Sequence, residues 1–190
     1  MSAVQLRRWT RDEYDRMIDA GVLTENDRVE LIEGEIVNVT PQNSPHATAV
    51  QLGAAALRRT FGEGVDVRQQ LPLALSDDSE PEPDVAVVIG SIRDYRDAHP
   101  TTALLILEVA DSSLAFDRTK KANVYARAKI ADYWLVNLID GILEVRRFPA
   151  PSTDSTDQWD YAVVERYAAS DRVAPLARPQ APIAVADLLP

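Results

Sequence analysis

Three short apolar runs, at 85–89 (VAVVI), 104–109 (LLILEV) and 133–137 (YWLVN), constrain this chain more than any other feature. Each is too short for a packed helix, and continuous rather than alternating, as in strands covered on both faces. Between the second and third lies 116–128, with helical spacing, so the three runs predict a strand–helix–strand crossover inside a layered sheet. The second run also carries a carboxylate, Glu108, within its apolar stretch. Burying an unpaired acid is costly, so Glu108 needs a cation, a metal or several donors.

The remaining elements fit around that sheet. Thr10 and Glu13 form a capping-box pattern, Tyr14, Met17 and Ile18 recur at helical spacing, and Gly21 ends the first helix. Residues 29–39 read as a hairpin turning at Glu33-Gly34. Ser44 as N-cap and Pro45 as first residue open a second helix, with Ala47, Val50, Ala54, Leu57 and Phe61 as its apolar stripe and Gly62 as its stop. Residues 65–75 read as extended, 77–80 as a polar turn, 142–148 and 161–167 as strands, and 149–160 as a polar loop. The tail closes on an apolar segment near Leu188. The expected fold class is α/β or α+β, a central mixed sheet flanked by helices. With no repeat or long linker, residues 1–190 read as one domain.

Composition excludes several functions. There is no cysteine, hence no disulfide and no thiolate metal site. No apolar run reaches the roughly 18 residues of a membrane span, and residues 1–10 lack a signal-peptide core; the expectation is a cytoplasmic protein. The formal net charge of −10 argues against indiscriminate nucleic-acid binding. Locally the balance reverses: Arg118, Lys120, Lys121, Arg127 and Lys129 face Asp117 alone within 117–129. Such a run is either a solvated helix face or a track for phosphates. No glycine-rich phosphate loop, nucleophile elbow or zinc module is present, and no small-molecule cofactor is expected.

Asp84 follows Pro83 at the mouth of the first apolar run, where it is either a rigidly held ligand or a turn aspartate. Residues 108 and 110 share one sheet face by the two-residue period. A lysine at 110 would complete an acid-x-lysine nuclease signature, and Ala110 stands there instead. Asp117, Lys121, Tyr125 and Ala128 fall on one helix face, which turns Lys121 inward, either to serve a site or to neutralise Glu108. Lys120 lies on the neighbouring stripe. Glu30 supplies a third acid if its hairpin packs beside the sheet; otherwise it is an exposed hairpin glutamate. His46, in the first turn of the second helix, is a support residue or a capping or solvent-facing one.

The ordered set Glu30-Leu31-Ile32-Glu33-Gly34-Glu35-Ile36-Val37, Thr40-Pro41, Pro45-His46, Pro83-Asp84-Val85-Ala86-Val87-Val88, Leu107-Glu108-Val109, Ser112-Ser113, Asp117 to Lys121, Tyr125-Ala126 and Asp132-Tyr133-Trp134-Leu135-Val136 resembles the Uma-two family of restriction endonucleases, within the PD-(D/E)XK nuclease superfamily. The match covers roughly residues 10 to 148. The resemblance implies a restriction-endonuclease-like core, Asp84 and Glu108 as paired acids, Lys121 as a displaced lysine and Glu30 beside the site. Two positions depart from the pattern: Lys129-Ile130 stands where Gly-Val is usual, and Asn137 where aspartate is. The function implied is metal-dependent cleavage of DNA. Asp84, Glu108 and the Val109 carbonyl would hold Mg2+ or Mn2+, with His46, Asp117 and Tyr125 in support and Arg118 and Lys120 on the DNA backbone. A homodimer suits cutting of both strands. Two rivals use the same residues: a degenerate member that binds nucleic acid or protein, and a purely structural Glu108–Lys121 bridge.

Overall fold

The computed structural model describes residues 6–24, 26–152 and 158–190. Helix α1 (Arg11–Asp19) opens with the expected capping box, Thr10 and Glu13 exchanging hydrogen bonds at 3.2 and 3.1 Å. Strands β1 (Val29–Ile32) and β2 (Glu35–Asn38) form an antiparallel hairpin. Its turn residues Glu33 and Gly34 both take positive φ, 50° and 74°, the geometry of a tight hairpin turn that fits the strand twist. Helix α2 (Ser44–Phe61) follows, then β3 (Val65–Arg68), β4 (Val85–Ile89) and β5 (Leu105–Ala110). Helix α3 (114–127) has three abutting parts: an α turn at Leu114–Phe116, a π-helical turn at Asp117–Lys121 and an α segment at Ala122–Arg127. Strands β6 (Asp132–Asn137), β7 (Ile142–Pro151) and β8 (Trp159–Ala168) complete the main sheet, and β9 (Arg172–Val173) pairs with β10 (Ile183–Ala184).

Six strands make the central sheet in the order β3-β4-β5-β6-β7-β8. Only β5 and β6 are parallel, joined by α3, so the predicted strand–helix–strand crossover is present. Alternation assigns the two faces. Val85, Val87, Leu105, Leu107 and Val109 pack under α2 with Val173, Ile183, Val185 and Leu188 of the tail. Ala86, Val88, Ile106 and Tyr133 pack under α3 with Ile32 of the hairpin. Glu108 and Ala110 share the α3 face with Ile106, as the two-residue period requires. The hairpin is clamped beside that face by Ser79, whose hydroxyl accepts from Glu33 N at 2.9 Å, and by a bridge between Leu31 and Glu80.

Four sequence expectations are corrected. The cap of α2 is Asn43, not Ser44: Asn43 Oδ1 accepts from His46 N at 3.0 Å. The extended stretch 65–75 is a strand only to Arg68. Beyond it, the partner segment contains Pro81 and Pro83, which have no N–H to offer a ladder, and the chain pairs piecemeal, Gln70 N with Pro83 O and Leu73 N with Pro81 O. The loop expected at 149–160 is shorter, because β7 and β8 continue to the pair Pro151–Trp159; residues 153–157 of it lie outside the described residues, as do residues 1–5 of the N-terminal stretch. Phe148, with φ 60°, interrupts the ladder between Arg147 and Pro149. The third helix starts two residues earlier than its spacing predicted and includes the π turn. Among the described residues no helix is long and apolar enough to cross a membrane.

Candidate active site

Register brings the first two acids together. In the antiparallel β4–β5 pair Val85 stands opposite Leu107, and one step further Asp84 meets Glu108. Asp84 N donates to Glu108 Oε2 at 3.1 Å, and Val109 N donates to Asp84 Oδ2 at 2.9 Å. Each carboxylate is therefore pinned by the other strand's backbone. The proline before Asp84 ends the loop rigidly, and the buried strand behind it leaves little freedom.

Helix α3 supplies the cation. Lys121 Nζ donates to Glu108 Oε1 at 2.9 Å, and Tyr125 OH reaches the same oxygen at 2.6 Å, one α-helical turn later. Glu30 of the hairpin lies 3.3 Å from Lys121 Nζ, and its other oxygen accepts from Glu82 N at 3.0 Å. Asp117 caps the cluster from the π turn, its carboxylate accepting from Ser113 Oγ at 2.5 Å. Glu30, Asp84, Glu108, Asp117 and Lys121 are all buried. They line a cavity of about 290 Å³ between the hairpin, the start of α2 and the loop after β5.

His46 projects from the first turn of α2 into this cavity, Nε2 standing 3.4 Å from Asp84 Oδ2, while Nδ1 is buried without a partner among the described residues. Gln70 donates through Nε2 to Asp84 Oδ1 at 3.2 Å and holds a left-handed backbone, φ 52°. Non-glycine residues in that region are uncommon and gather at functional sites. Gln70 was not legible in the sequence: it follows an edge strand, with no spacing that ties it to Asp84.

The electrostatics are those of too many acids for too few cations. Burial pushes the Glu108 carboxyl up to about 8, with Lys121 opposing and Asp84, Asp117 and Glu30 adding to the rise. Burial likewise raises Asp117. Asp84 moves the other way: burial would raise it, but the His46 contact and Lys121 outweigh that and lower it. Burial alone would discharge Lys121, yet Glu108, Glu30, Asp117 and Asp84 hold it firmly as an ammonium ion. His46 is raised because Asp84 overcomes the burial penalty.

Of the residues anticipated from sequence, Glu30, His46, Asp84, Glu108, Val109, Asp117 and Lys121 line this one cavity, and Tyr125 touches it through Glu108. Arg118 and Lys120 do not. Arg118 is held by the fully buried Glu144, and Lys120 pairs with Glu33 at 3.0 Å. Among the described residues no three acid or histidine side chains already form a metal-ligand cluster.

Comparison with known proteins agrees with this architecture. The chain resembles the crystal structure of a protein from Anabaena variabilis, described as a "putative nuclease belonging to DUF820", with a TM-score of 0.69 at 13% identity, covering 94% of this chain and 96% of that one. At that identity the likeness concerns the fold, a six-stranded mixed sheet flanked by helices. No curated protein matches the chain. A family match, by contrast, spans most of its length, from the first residue of α1 through β8: residues 11–170 place the chain in the Uma2 family, whose description is "Putative restriction endonuclease".

Proposed function

We propose that this protein is a metal-dependent deoxyribonuclease whose paired acids are Asp84 and Glu108. The observation that carries the reading is their juxtaposition across β4 and β5, with Lys121 on the Glu108 carboxylate, in a cavity where four acids surround one ammonium group. The residues fit a hard divalent cation. Magnesium keeps several waters and takes one or two carboxylates from the protein, so a facing acid pair with open space beside it suffices. Adding a dication also relieves the negative charge of Asp84, Asp117 and Glu30, which adds to burial in lifting the Glu108 carboxyl. Asp84, Glu108 and the Val109 carbonyl would hold the ion. When bound, it lowers the pKa of a water and offsets charge developing on the phosphate.

The protein groups divide the remaining work. Val109 N and Asp84 N hold the two carboxylates in register. Lys121, kept charged by Glu30 and Glu108, is the donor that positions a water or a phosphate oxygen. Tyr125 locks the Glu108 side chain, and His46 and Gln70 fix the two oxygens of Asp84. The test is nicking of supercoiled plasmid in magnesium or manganese, together with the melting temperature as metal is added. Wild type should nick and gain several degrees, while Asp84→Ala should do neither. Absence of both effects in wild type, or equal nicking by Asp84→Ala, refutes the reading.

One observation favours a second reading, a catalytically silent binding module: both Glu108 oxygens already have protein donors. In that case the acids serve the fold. Metal would leave the melting temperature unchanged, and Glu108→Ala would cost about 3 kcal/mol by removing the nearest partner of the buried ammonium, which keeps only the longer contact to Glu30.

A further inference from the structure

The basic stretch of α3 is spent within the protein. Arg118 is paired with Glu144, Lys120 with Glu33, Lys121 with Glu30 and Glu108, and Arg127 with Asp78 at 2.7 Å, while Lys129 Nζ sits 3.1 Å over the Trp159 ring. Apart from Lys121, which belongs to the acid cavity itself, none of these is a free partner for a phosphate. A different cation fills that role. The cavity wall holds three residues that can carry positive charge: Lys121, His46 and Arg28. The first two are committed to Glu108 and Asp84. Arg28 is exposed, and among the described residues its side chain has no carboxylate within 4.0 Å and no hydrogen bond. It stands near enough to Glu82 to favour that acid's ionised form, against the larger effects of burial and Glu30.

Its backbone is anchored between two hollows. Arg28 sits at the open end of the hairpin, where its carbonyl accepts from Val39 N at 2.8 Å. A second hollow of about 370 Å³ lies against α1 and the residues that follow it, and Arg28, Val39 and Glu82 line both hollows. Each is near the lower limit for a small-ligand site, room for a nucleotide rather than a duplex. A chain of linked nucleotides lying across both would pass Arg28, and a guanidinium is the side chain best shaped to grip a phosphate in two hydrogen bonds.

Resting on the nuclease reading above, we infer that Arg28 binds a backbone phosphate of the polynucleotide strand next to the one at Asp84 and Glu108, and guides the strand from the acid cavity into the hollow against α1. The probe is a fluorescent single-stranded oligonucleotide, titrated in manganese against a Glu108→Gln parent so that cleavage does not interfere. Adding Arg28→Ala should weaken binding about tenfold, the loss of one charge-assisted contact, and lower the salt slope by about 0.7, one phosphate. Arg28→Lys should fall between, and Arg59→Ala, which removes an exposed positive charge outside both hollows, should match the parent within about twofold. Equal affinity and slope for the parent and Arg28→Ala overturns the proposal while leaving nuclease activity standing if wild type nicks plasmid. Failure of the parent to bind the oligonucleotide overturns it too, and combined with absent nicking by wild type removes the nuclease reading as well.

Discussion

Glu80 is tied to the hairpin by its backbone, its N–H donating to Leu31 O at 2.8 Å, and its carboxyl is drawn inward with only a long contact to Arg11, 3.8 Å from Nε. Burial, reinforced by Asp15 and Glu82 against Arg11, pushes it up to about 7 from 4.5. The folded state therefore holds a proton that the unfolded chain has lost between those values. The stabilisation is complete below about 4.5 and disappears as pH rises through about 7. A melting series from pH 4.5 to 8 should show this decline, and Glu80→Gln should make it shallower, leaving the share of Glu108 and Asp117, with the variant more stable than wild type by about 1 kcal/mol at pH 8 after allowing for solvent screening. A wild type whose stability does not fall over that range contradicts this account. The acids at the cavity were legible for the same physical reason that Glu80 was not. Glu108 interrupts an apolar run and so advertises its cost, whereas Glu80 lies in a polar turn that looks solvated until the hairpin covers it. The two departures from the family pattern also acquire reasons. Lys129 still adopts the left-handed backbone of a glycine, φ 62°, with its ammonium on Trp159. Asn137 donates toward both Asp140, at 2.8 Å, and Glu144, at 3.5 Å, where an aspartate would add a third carboxylate.

Asn43 joins two elements around the cavity. Its Oδ1 caps α2 through His46 N, and its Nδ2 donates to Asp111 Oδ2 at 2.8 Å, in the loop after β5. One side chain thus fixes both the start of the helix that bears His46 and the rim beyond Glu108. Asn43→Ala should cost about 1–2 kcal/mol through the lost cap, read as a shift in the denaturation midpoint. Asn43→Ser should recover most of that stability, because serine caps as well but does not reach for Asp111 as an amide does. Equal losses in both variants would mean that the cap contributes little. At this scale continuous buried strands and helix stripes were readily legible, since both arise from local periodicity. The π turn at Asp117–Lys121 was hidden because the 117, 121, 125 spacing is compatible with an ordinary helix; the turn is bounded by Asp117, bonded to Ser113, and Lys121, bonded to Glu108. The length of β3 was hidden for a related reason: what ends it is the partner's prolines, not its own residues.

For the molecule as a whole, charge determines how nucleic acid can approach. The total of −10 opposes a polyanion at long range, and the positive stretch on α3, which looked from sequence like a compensating track, is neutralised by Glu30, Glu33, Asp78, Glu108 and Glu144. Those partners come from β1, the hairpin turn, the turn before β4, β5 and β7, so only the assembled fold reveals that the track is occupied. Counterion release distinguishes the two pictures by its slope. Five free cations on a single strand would give log affinity a slope of about −3.5 against log salt, a loss of about a hundredfold between 50 and 200 mM. One phosphate contact, at Arg28, gives a slope near −0.7 and a loss of about threefold over the same range. Anisotropy titrations of a labelled single strand at four salt concentrations should therefore return the shallow slope, and Arg118→Gln with Lys120→Gln should leave it unchanged. A steep slope that those two substitutions reduce would mean that the Glu144 and Glu33 pairs open to DNA, so that α3 lies in the path of the substrate.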